Sequence, residues 1–299
     1  MSNNNIIKGV FLVGLGATSY GMLATFVKLA YQENFTTAEV TSAQFIYGII
    51  GILIINLFQN KQTKTPILKA SKKDALQLML AGTSLGMTSV FYYLCVKYID
   101  VSIAIVLLMQ TVWMGVLLEW FLDQKAPSKQ KVVAVFIVLI GTLLATNLLN
   151  SSVEIDWKGI IFGMLAAASF TTTMFTANKI ALGISTAQRS LYMLLGGAII
   201  VAGFALFTQT TPFNFEIFMK WGIVLALFGT IIPPMLMNSG FPKTGLGLGS
   251  IVSSLELPVS VLMAYFILNE SVILSQWLGV LLIIFAIVIM NINFNRVKE

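Results

Sequence analysis

The sequence contains no histidine and only one cysteine, Cys95, among its 299 residues. Without histidine there is no imidazole to act as a general base or as a zinc ligand, and a single cysteine forms no disulfide within the chain. Charged residues are scarce as well, at 10% against about a quarter in soluble domains. Hydrophobic residues make up 57%, and the mean hydropathy is +0.89. This balance excludes a soluble globule and indicates a polytopic membrane protein.

Ten segments are apolar and long enough to span a bilayer, which takes about 20 residues in a helix. The short connections between them leave no room for a soluble domain. The first segment is too long for a signal-peptide core, so we expect an uncleaved first span. The predicted spans are 6–27, 37–58, 75–96, 101–122, 131–149, 158–178, 189–208, 217–239, 246–268 and 272–292.

The net charge of +6 comes from lysines and arginines in the loops between these spans. With the amino terminus placed inside the cell, 14 of the 18 basic residues lie on the cytoplasmic side. Cytoplasmic loops are enriched in lysine and arginine, so this asymmetry predicts an N-in, C-in topology. It also explains the charge without nucleic acid, which we do not expect as a partner. The four exceptions are Lys28, Lys97, Lys158 and Lys220.

The second half of the sequence weakly repeats the first. Residues 101–145 align with 247–291 without a gap at an offset of 146, and "TAE" (37–39) aligns with "TAQ" (186–188) at a similar offset. We therefore expect a duplicated five-helix unit, comprising residues 1–149 and 150–299. Five is odd, so the second copy enters the membrane from the other side. Inverted repeats of this kind are typical of secondary transporters, with the substrate site between the halves.

Three stretches resemble the EamA-like group of the drug/metabolite transporter superfamily, and the resemblance covers about 8–292. They are "GLGATSYGMLATFVKLA" (14–30), "VSIAIVLLMQTVWMGVLLEWFLDQKAPSKQKVVAVFIVLIG" (101–141) and "GLGSIVSSLELPVSVLMAYFILNESVILSQWLGVLLIIFAIVI" (247–289). Pro258, Asn269-Glu270 and Gln276 match the pattern of that family, whereas Val112 stands where its first repeat has proline. The resemblance implies an all-α transporter of ten helices in the bacterial cytoplasmic (inner) membrane. Members export or import amino acids, small metabolites or amphipathic drugs.

Glu256 is the first candidate for a functional residue, because it lies near the middle of the ninth span. A charge at that depth costs about 2.5–3.5 kcal/mol on insertion scales, so such residues usually face a polar cavity. A carboxylate there suits binding of a proton or recognition of a cation. The alternative is structural: a neutral carboxyl, or one bonded to backbone groups released by Pro258. The 146-residue offset places Gln110 opposite Glu256.

Further candidates for substrate binding are polar or aromatic residues within spans. Trp113 lies in the middle of the fourth span, and its indole suits stacking or cation–π contact, with packing against a neighbouring helix as the alternative. Glu39 and Glu119 lie close to span ends, where we expect them to reach the headgroup region. The other candidates are Tyr20, Tyr92 and Asn238, and the candidate hinge residues are Pro233, Pro234 and Pro258.

These features predict a secondary transporter that works by alternating access, with Glu256 coupling transport to protons. Its expected partners are a small-molecule substrate, membrane lipids and protons as a coupling ion. An uncoupled facilitator and a lipid-linked intermediate flippase stay open as alternatives. The sequence has no ATP-binding motif and no metal-ligand cluster, so we expect neither cofactor nor metal. No pair of acidic residues lies at midplane depth, which disfavours a membrane enzyme, and the inverted repeat disfavours a non-transporting scaffold.

Overall fold

The computed structural model describes residues 3–62, 68–99, 101–124, 126–146, 156–269 and 271–292. Within these ranges the chain is helical without a strand, and helices occupy all ten predicted segments. The first half contains α1 (Asn3–Gln32), α2 (Thr37–Gln62), α3 (Lys72–Tyr98), α4 (Val101–Leu108), α5 (Thr111–Asp123) and α6 (Lys129–Ala145). The second half contains α7 (Trp157–Lys179), α8 (Thr186–Thr208), α9 (Ile223–Ala226), α10 (Ile232–Thr244), α11 (Leu246–Ser253), α12 (Glu256–Ile267) and α13 (Leu274–Ile292).

Eight stretches among the described residues have the length and hydropathy to cross a membrane, and α13 is a shorter apolar helix. Large apolar side chains cover the outside of the bundle: Leu206, Phe207 and Met219 are 83%, 91% and 88% exposed. Such a surface is unfavourable in water but suits contact with lipid tails, and helices pair their own backbone groups. The protein is therefore a helical polytopic membrane protein.

The fourth and ninth spans are each broken in the middle. In the fourth, α4 and α5 are separated at Met109–Gln110, and in the ninth, α11 and α12 are separated at Ser254–Leu255. Around both breaks the backbone tightens to i→i−3 hydrogen bonds, such as Val112 N–H to the Met109 carbonyl at 3.1 Å. Only the ninth span has a proline there, so proline alone does not cause the breaks. Discontinuous helices near the membrane midplane are a feature of secondary transporters.

The two breaks set the register between the halves. Helices α4 and α11 begin at Val101 and Leu246, 145 positions apart, and both are eight residues long. The two spans also end at left-handed residues 145 positions apart, Gln124 and Asn269, each with φ of 52°. The structural register is thus one residue shorter than the alignment offset of 146. It places Thr111, rather than Gln110, opposite Glu256.

The eighth span bends without breaking. It begins with a π-helical turn at Phe218–Gly222, continues through α9, and has a second π-helical turn at Leu227–Ile231 before α10. Pro233 and Pro234 follow in the first turn of α10, where missing N–H groups are tolerated. The wider π turn accommodates the carbonyls that these prolines leave without a donor. A hinge function for Pro233, Pro234 and Pro258 stays a prediction.

Both chain ends that the structure describes, Asn3 and Ile292, lie on one side of the bundle, which we call the terminal face. Contacts support this arrangement, since Gly9 near the start of α1 lies against Lys243 near the end of α10, and Ile6 packs in the same hydrophobic cluster as Met290 near the end of α13. Which aqueous phase this face meets stays a prediction. The expected boundary between repeats at 149 and 150 lies outside the described residues, as does Glu270.

Candidate functional site

A cavity of about 370 Å³ opens between the two halves. It runs from the middle of the spans toward the face opposite the terminal face, where α1, α3 and α6 end and α13 begins. Its volume is in the range of small-molecule sites, which are mostly apolar with a few polar groups. Three of the sequence-predicted site residues line it: Tyr20, Tyr92 and Glu256.

Glu256 is the first residue of α12, so the break in the ninth span places its carboxylate in the cavity wall at the deep end. Within the described part of the chain, its carboxylate makes no ion pair and no hydrogen bond. A charged side chain within a membrane span normally pairs with another group or faces a polar cavity, so a proton or a cationic ligand is the natural complement to this carboxylate.

The structural alternative for Glu256 depends on the backbone groups near Pro258. Pro258 has no N–H to donate to the Ser254 carbonyl. This carbonyl instead accepts a hydrogen bond from the Leu257 N–H at 3.1 Å. The Ser254 hydroxyl donates to the Ile251 carbonyl at 2.6 Å. The local backbone is therefore satisfied without the Glu256 side chain, which leaves the carboxylate available to the cavity.

Tyrosine side chains surround the deep end of the cavity. Tyr20 and Tyr92 are within Coulombic range of the Glu256 carboxylate. The Tyr20 ring meets Phe170 edge to face at 6.1 Å between centroids, and Tyr92 meets Tyr93 at 6.2 Å. Aromatic faces beside a carboxylate form a suitable environment for an organic cation.

Lys28 also lines the cavity, although the sequence pattern indicated only the end of a helix there. It lies seven residues beyond Gly21, which packs against the Glu256 backbone. Seven residues correspond to about 10 Å along a helix. Lys28 is therefore near the mouth, and Glu256 is the charged group at the deep end among the described lining residues.

Gln44 of α2 is a cavity residue that the sequence reasoning missed. It is 5% exposed, and its amide oxygen accepts no hydrogen bond from the residues described. The signal was present in the sequence, since Gln44 is an amide within the predicted second span. Hydropathy does not predict how deeply Gln44 lies in the bundle or which residues it contacts.

Gln110 and Trp113 do not line this cavity. The Gln110 amide nitrogen donates to the Val106 carbonyl at 2.9 Å, and its amide oxygen accepts the Trp113 indole N–H at 2.8 Å. The pair thus satisfies a carbonyl that the break in the fourth span releases. Their geometry supports a structural contact rather than a substrate contact.

Asn238 lies below the main cavity, in the wall of a small void of about 20 Å³. Its side-chain amide nitrogen donates to the Ser190 hydroxyl at 2.9 Å, and its backbone carbonyl accepts a hydrogen bond from Arg189 Nη1 at 2.6 Å. Arg189 is only 3% exposed and also donates to the carbonyls of Ala177 and Ile180. This buried guanidinium, near the start of α8, connects the end of α7 to the middle of α10.

The two glutamates expected near headgroups are held by the protein instead. Glu39 is 2% exposed and accepts hydrogen bonds from the backbone N–H groups of Thr36 and Asn214, both at 2.7 Å. Glu119 forms an ion pair with Lys131. Neither lines the cavity, and no group of three metal-ligating side chains occurs in the described ranges.

Broken spans around a central small-molecule cavity define the class of protein: a polytopic membrane transporter. The chain belongs to the EamA-like transporter family, whose pattern matches residues 7–147 and 157–292. It is 24% identical over 302 residues to the uncharacterized inner membrane transporter YicL of Salmonella typhimurium, covering 97% of both chains. It is 26% identical over 224 residues to the uncharacterized transporter YetK of Bacillus subtilis, covering 72% of this chain and 67% of the relative.

A solved crystal structure of another protein superimposes with a TM-score of 0.75 over 96% of each chain. At 12% identity this likeness shows the shared fold alone. With the family and the helical structure, the relatives place this protein in the bacterial inner membrane as a multi-pass transporter of a small molecule.

Proposed function

We propose that the protein is a secondary transporter that moves a small amphipathic compound bearing a cationic group by alternating access, with Glu256 binding either the substrate or a proton. The observation that carries this proposal is the Glu256 carboxylate, which lies without a protein partner among the described residues at the deep end of the cavity.

The surroundings of Glu256 support a substrate with an apolar body. Tyr20, Tyr92 and Phe170 supply aromatic surface, and Leu108 and Leu257 supply aliphatic surface around the same end. A ligand that buries an apolar body there gains roughly 25 cal/mol for each Å² removed from water. Its ammonium group would neutralise the carboxylate.

Proton coupling follows from competition at one group. If a substrate cation and a proton exclude each other from Glu256, the movement of one in one direction is linked to that of the other in the opposite direction. An uncoupled facilitator would use the same cavity but would not need exchange at Glu256. The two mechanisms therefore differ in how transport responds to a proton gradient.

The test uses purified protein in proteoliposomes, with wild type, Glu256→Gln, and Glu216→Gln as a matched control. The Glu216 side chain is 64% exposed and does not line the cavity. A panel of amines, amino acids and neutral analogues is first ranked by thermal stabilisation at pH 6 and pH 8, and uptake of the best ligand is then measured with and without a proton gradient.

We expect the wild type and Glu216→Gln to bind the cationic ligand more weakly at pH 6, where protons compete. Glu256→Gln should lose this pH dependence together with gradient-driven uptake. Equal uptake by wild type and Glu256→Gln under both conditions would contradict proton coupling and favour the facilitator.

A further inference from the structure

The Gln44 amide is a buried polar group that the protein does not fully satisfy. The backbone carbonyl of Gln44 accepts a hydrogen bond from the Thr230 hydroxyl at 2.9 Å, but the side-chain amide oxygen of Gln44 has no partner among the described residues. Leaving such a group unpaired is unfavourable, so it needs an explanation. Gln44 lines the cavity, so a ligand can supply the missing partner when the flexible end of the side chain turns toward it.

Packing alone does not require an amide at this position. When the "TAE" and "TAQ" segments are aligned and extended without a gap, Gln44 falls opposite Met193. Both helices then have a glycine at a close crossing four residues later, Gly48 and Gly197. Met193 is 2% exposed, so the second half fills the equivalent place with an apolar side chain of similar size.

The eighth span makes room for this amide at Gly229. A β-carbon at position 229 would lie 2.8 Å from the Gln44 amide carbon and 3.0 Å from Leu23 Cδ2. Contacts that close do not occur without movement of a neighbour. The glycine therefore keeps the end of the Gln44 side chain in its position against the cavity wall.

Helix α1 relates Gln44 to Glu256 in space. Gly21 of α1 packs against the Glu256 backbone, and Leu23 packs beside Gly229 and the Gln44 amide. Two residues of a helix differ by about 200° around the axis and about 3 Å along it. Glu256 and Gln44 thus flank the cavity-facing stripe of α1 from opposite sides at nearly the same depth.

From this arrangement we infer that Gln44 is a second polar contact for the substrate, and that the site takes amines with a hydrogen-bonding group at the end remote from the ammonium. The ammonium meets Glu256, the remote group meets the Gln44 amide, and the apolar body lies over the α1 stripe between them. This inference rests on the proposed function, because it uses the same cavity and the same carboxylate.

Three small probes separate the two contacts. Tyramine has an ammonium and a remote hydroxyl, 2-phenylethylamine has the ammonium alone, and 2-(4-hydroxyphenyl)ethanol has the hydroxyl without the ammonium. Binding is measured by isothermal titration or by thermal stabilisation, with purified full-length protein. For the wild type we expect tyramine to bind about tenfold more tightly than 2-phenylethylamine, the effect of one hydrogen bond to a buried group.

Two variants perturb the amide in different ways. Gln44→Met keeps the volume and copies the equivalent residue of the second half, and Gly229→Ala pushes the flexible end of Gln44 aside. Both should bring the ratio between tyramine and 2-phenylethylamine to within twofold while 2-phenylethylamine affinity stays within threefold. Gly203→Ala, at a glycine with open space around it, should leave the ratio unchanged.

The outcomes distinguish this inference from the proposed function. If wild type prefers tyramine over the neutral alcohol and Glu256→Gln loses that preference, the carboxylate recognises the ammonium. If Gln44→Met then keeps the wild-type ratio between the two amines, the role of Gln44 is overturned while the proposed function stands. If no probe shows an ammonium preference in the wild type, the inference is overturned together with substrate binding by Glu256, and only the gradient assay then decides proton binding by that carboxylate.

Discussion

Gly21 lies directly against the main chain of Glu256, so a methyl group at position 21 would overlap the Glu256 carbonyl oxygen and lie 2.8 Å from Val259 Cβ. The contact fixes the distance between α1 and α12 at the start of α12. It therefore sets the position of the carboxylate relative to the tyrosines of α1 and α3. Small residues at helix crossings allow such close approach in membranes.

Gly21→Ala should accordingly destabilise the protein and weaken ligand binding together. Overpacking against backbone atoms costs roughly 1–3 kcal/mol, and the separated helices displace Glu256 from the deep end. Thermal unfolding in detergent and the affinity for the best amine ligand measure the two effects. Gly203→Ala is the control, since its new methyl group meets nothing within 4 Å; equal behaviour of both variants would refute the steric argument.

The buried Arg189 provides a second prediction. Replacing it with methionine leaves the carbonyls of Ala177, Ile180 and Asn238 without their donor. Unpaired buried groups cost about 1–3 kcal/mol each before relaxation, so we expect a loss of about 2–4 kcal/mol in unfolding free energy. Arg189→Lys should recover only part of this loss, because an ammonium cannot reproduce the guanidinium fork.

The matched control for Arg189 is Lys179→Gln. Lys179 lies 3.6 Å from Asp123 in an ion pair whose side chains are about half exposed. Exposed pairs contribute about 0–1 kcal/mol, so this variant should unfold close to the wild-type temperature. A similar loss in Arg189→Met and Lys179→Gln would show that charge, rather than the carbonyl contacts, determines the effect.

Glu39 connects the two halves at the face where the cavity opens, and this gives a third prediction. Besides Thr36 and Asn214, it accepts the Gln209 amide at 3.1 Å. Glu39→Ala should cost about 2–3 kcal/mol, since hydrogen bonds to a charged group are the stronger kind. Limited proteolysis should then cleave the segment 209–217 faster in the variant than in the wild type.

At the terminal face, Gln188 holds the segment before α3 in a comparable way. Its amide oxygen accepts the Ala70 N–H at 2.9 Å, and its nitrogen donates to the Leu68 carbonyl at 3.3 Å. Because these bonds are neutral, Gln188→Ala should cost less than Glu39→Ala, about 1 kcal/mol. The reverse order of the two losses would contradict the role assigned to the Glu39 charge.

A fourth prediction concerns Gln110 and Trp113. Trp113→Phe removes the indole N–H that Gln110 accepts, and we expect a stability loss of about 1 kcal/mol with ligand affinity within twofold of wild type. Tyr92→Phe, in the cavity wall, is the comparison and should change affinity more than stability. A large loss of ligand affinity in Trp113→Phe would contradict the structural role and indicate that Trp113 contacts the substrate.

Hydropathy predicted a helix in each of the ten segments, because a stretch of apolar residues long enough to cross a bilayer can be recognised in the sequence. The resemblance in residues 101–141 and 247–289 led to the correct family, because a family pattern also depends on residues that are close together in the sequence. The break at Met109–Gln110 was not predictable in this way. Its released Val106 carbonyl is satisfied by a side chain, and no proline marks it.

Among the candidate site residues, Glu256 could be identified from the sequence, because placing a carboxylate in the middle of a span is unfavourable in free energy whichever way the side chain points. Gln44, Lys28 and Arg189 have no such signature, because amides and basic residues near span ends are common for topological reasons. Whether Gln44 lines a cavity and whether Arg189 bonds carbonyls of two other helices depend on neighbours 150 or more positions away or on a different span.

The sequence by itself determined the membrane environment, the all-helical fold and the family, because each depends on composition and order along single segments. The tertiary structure decided which polar residues share the cavity and which ones hold helices together. That distinction depends on how spans from both halves pack, on the two mid-span breaks, and on glycines such as Gly21 and Gly229 that set helix distances. Contacts between segments that are far apart in the sequence arise only when the helices pack, so they cannot be predicted from any one segment alone.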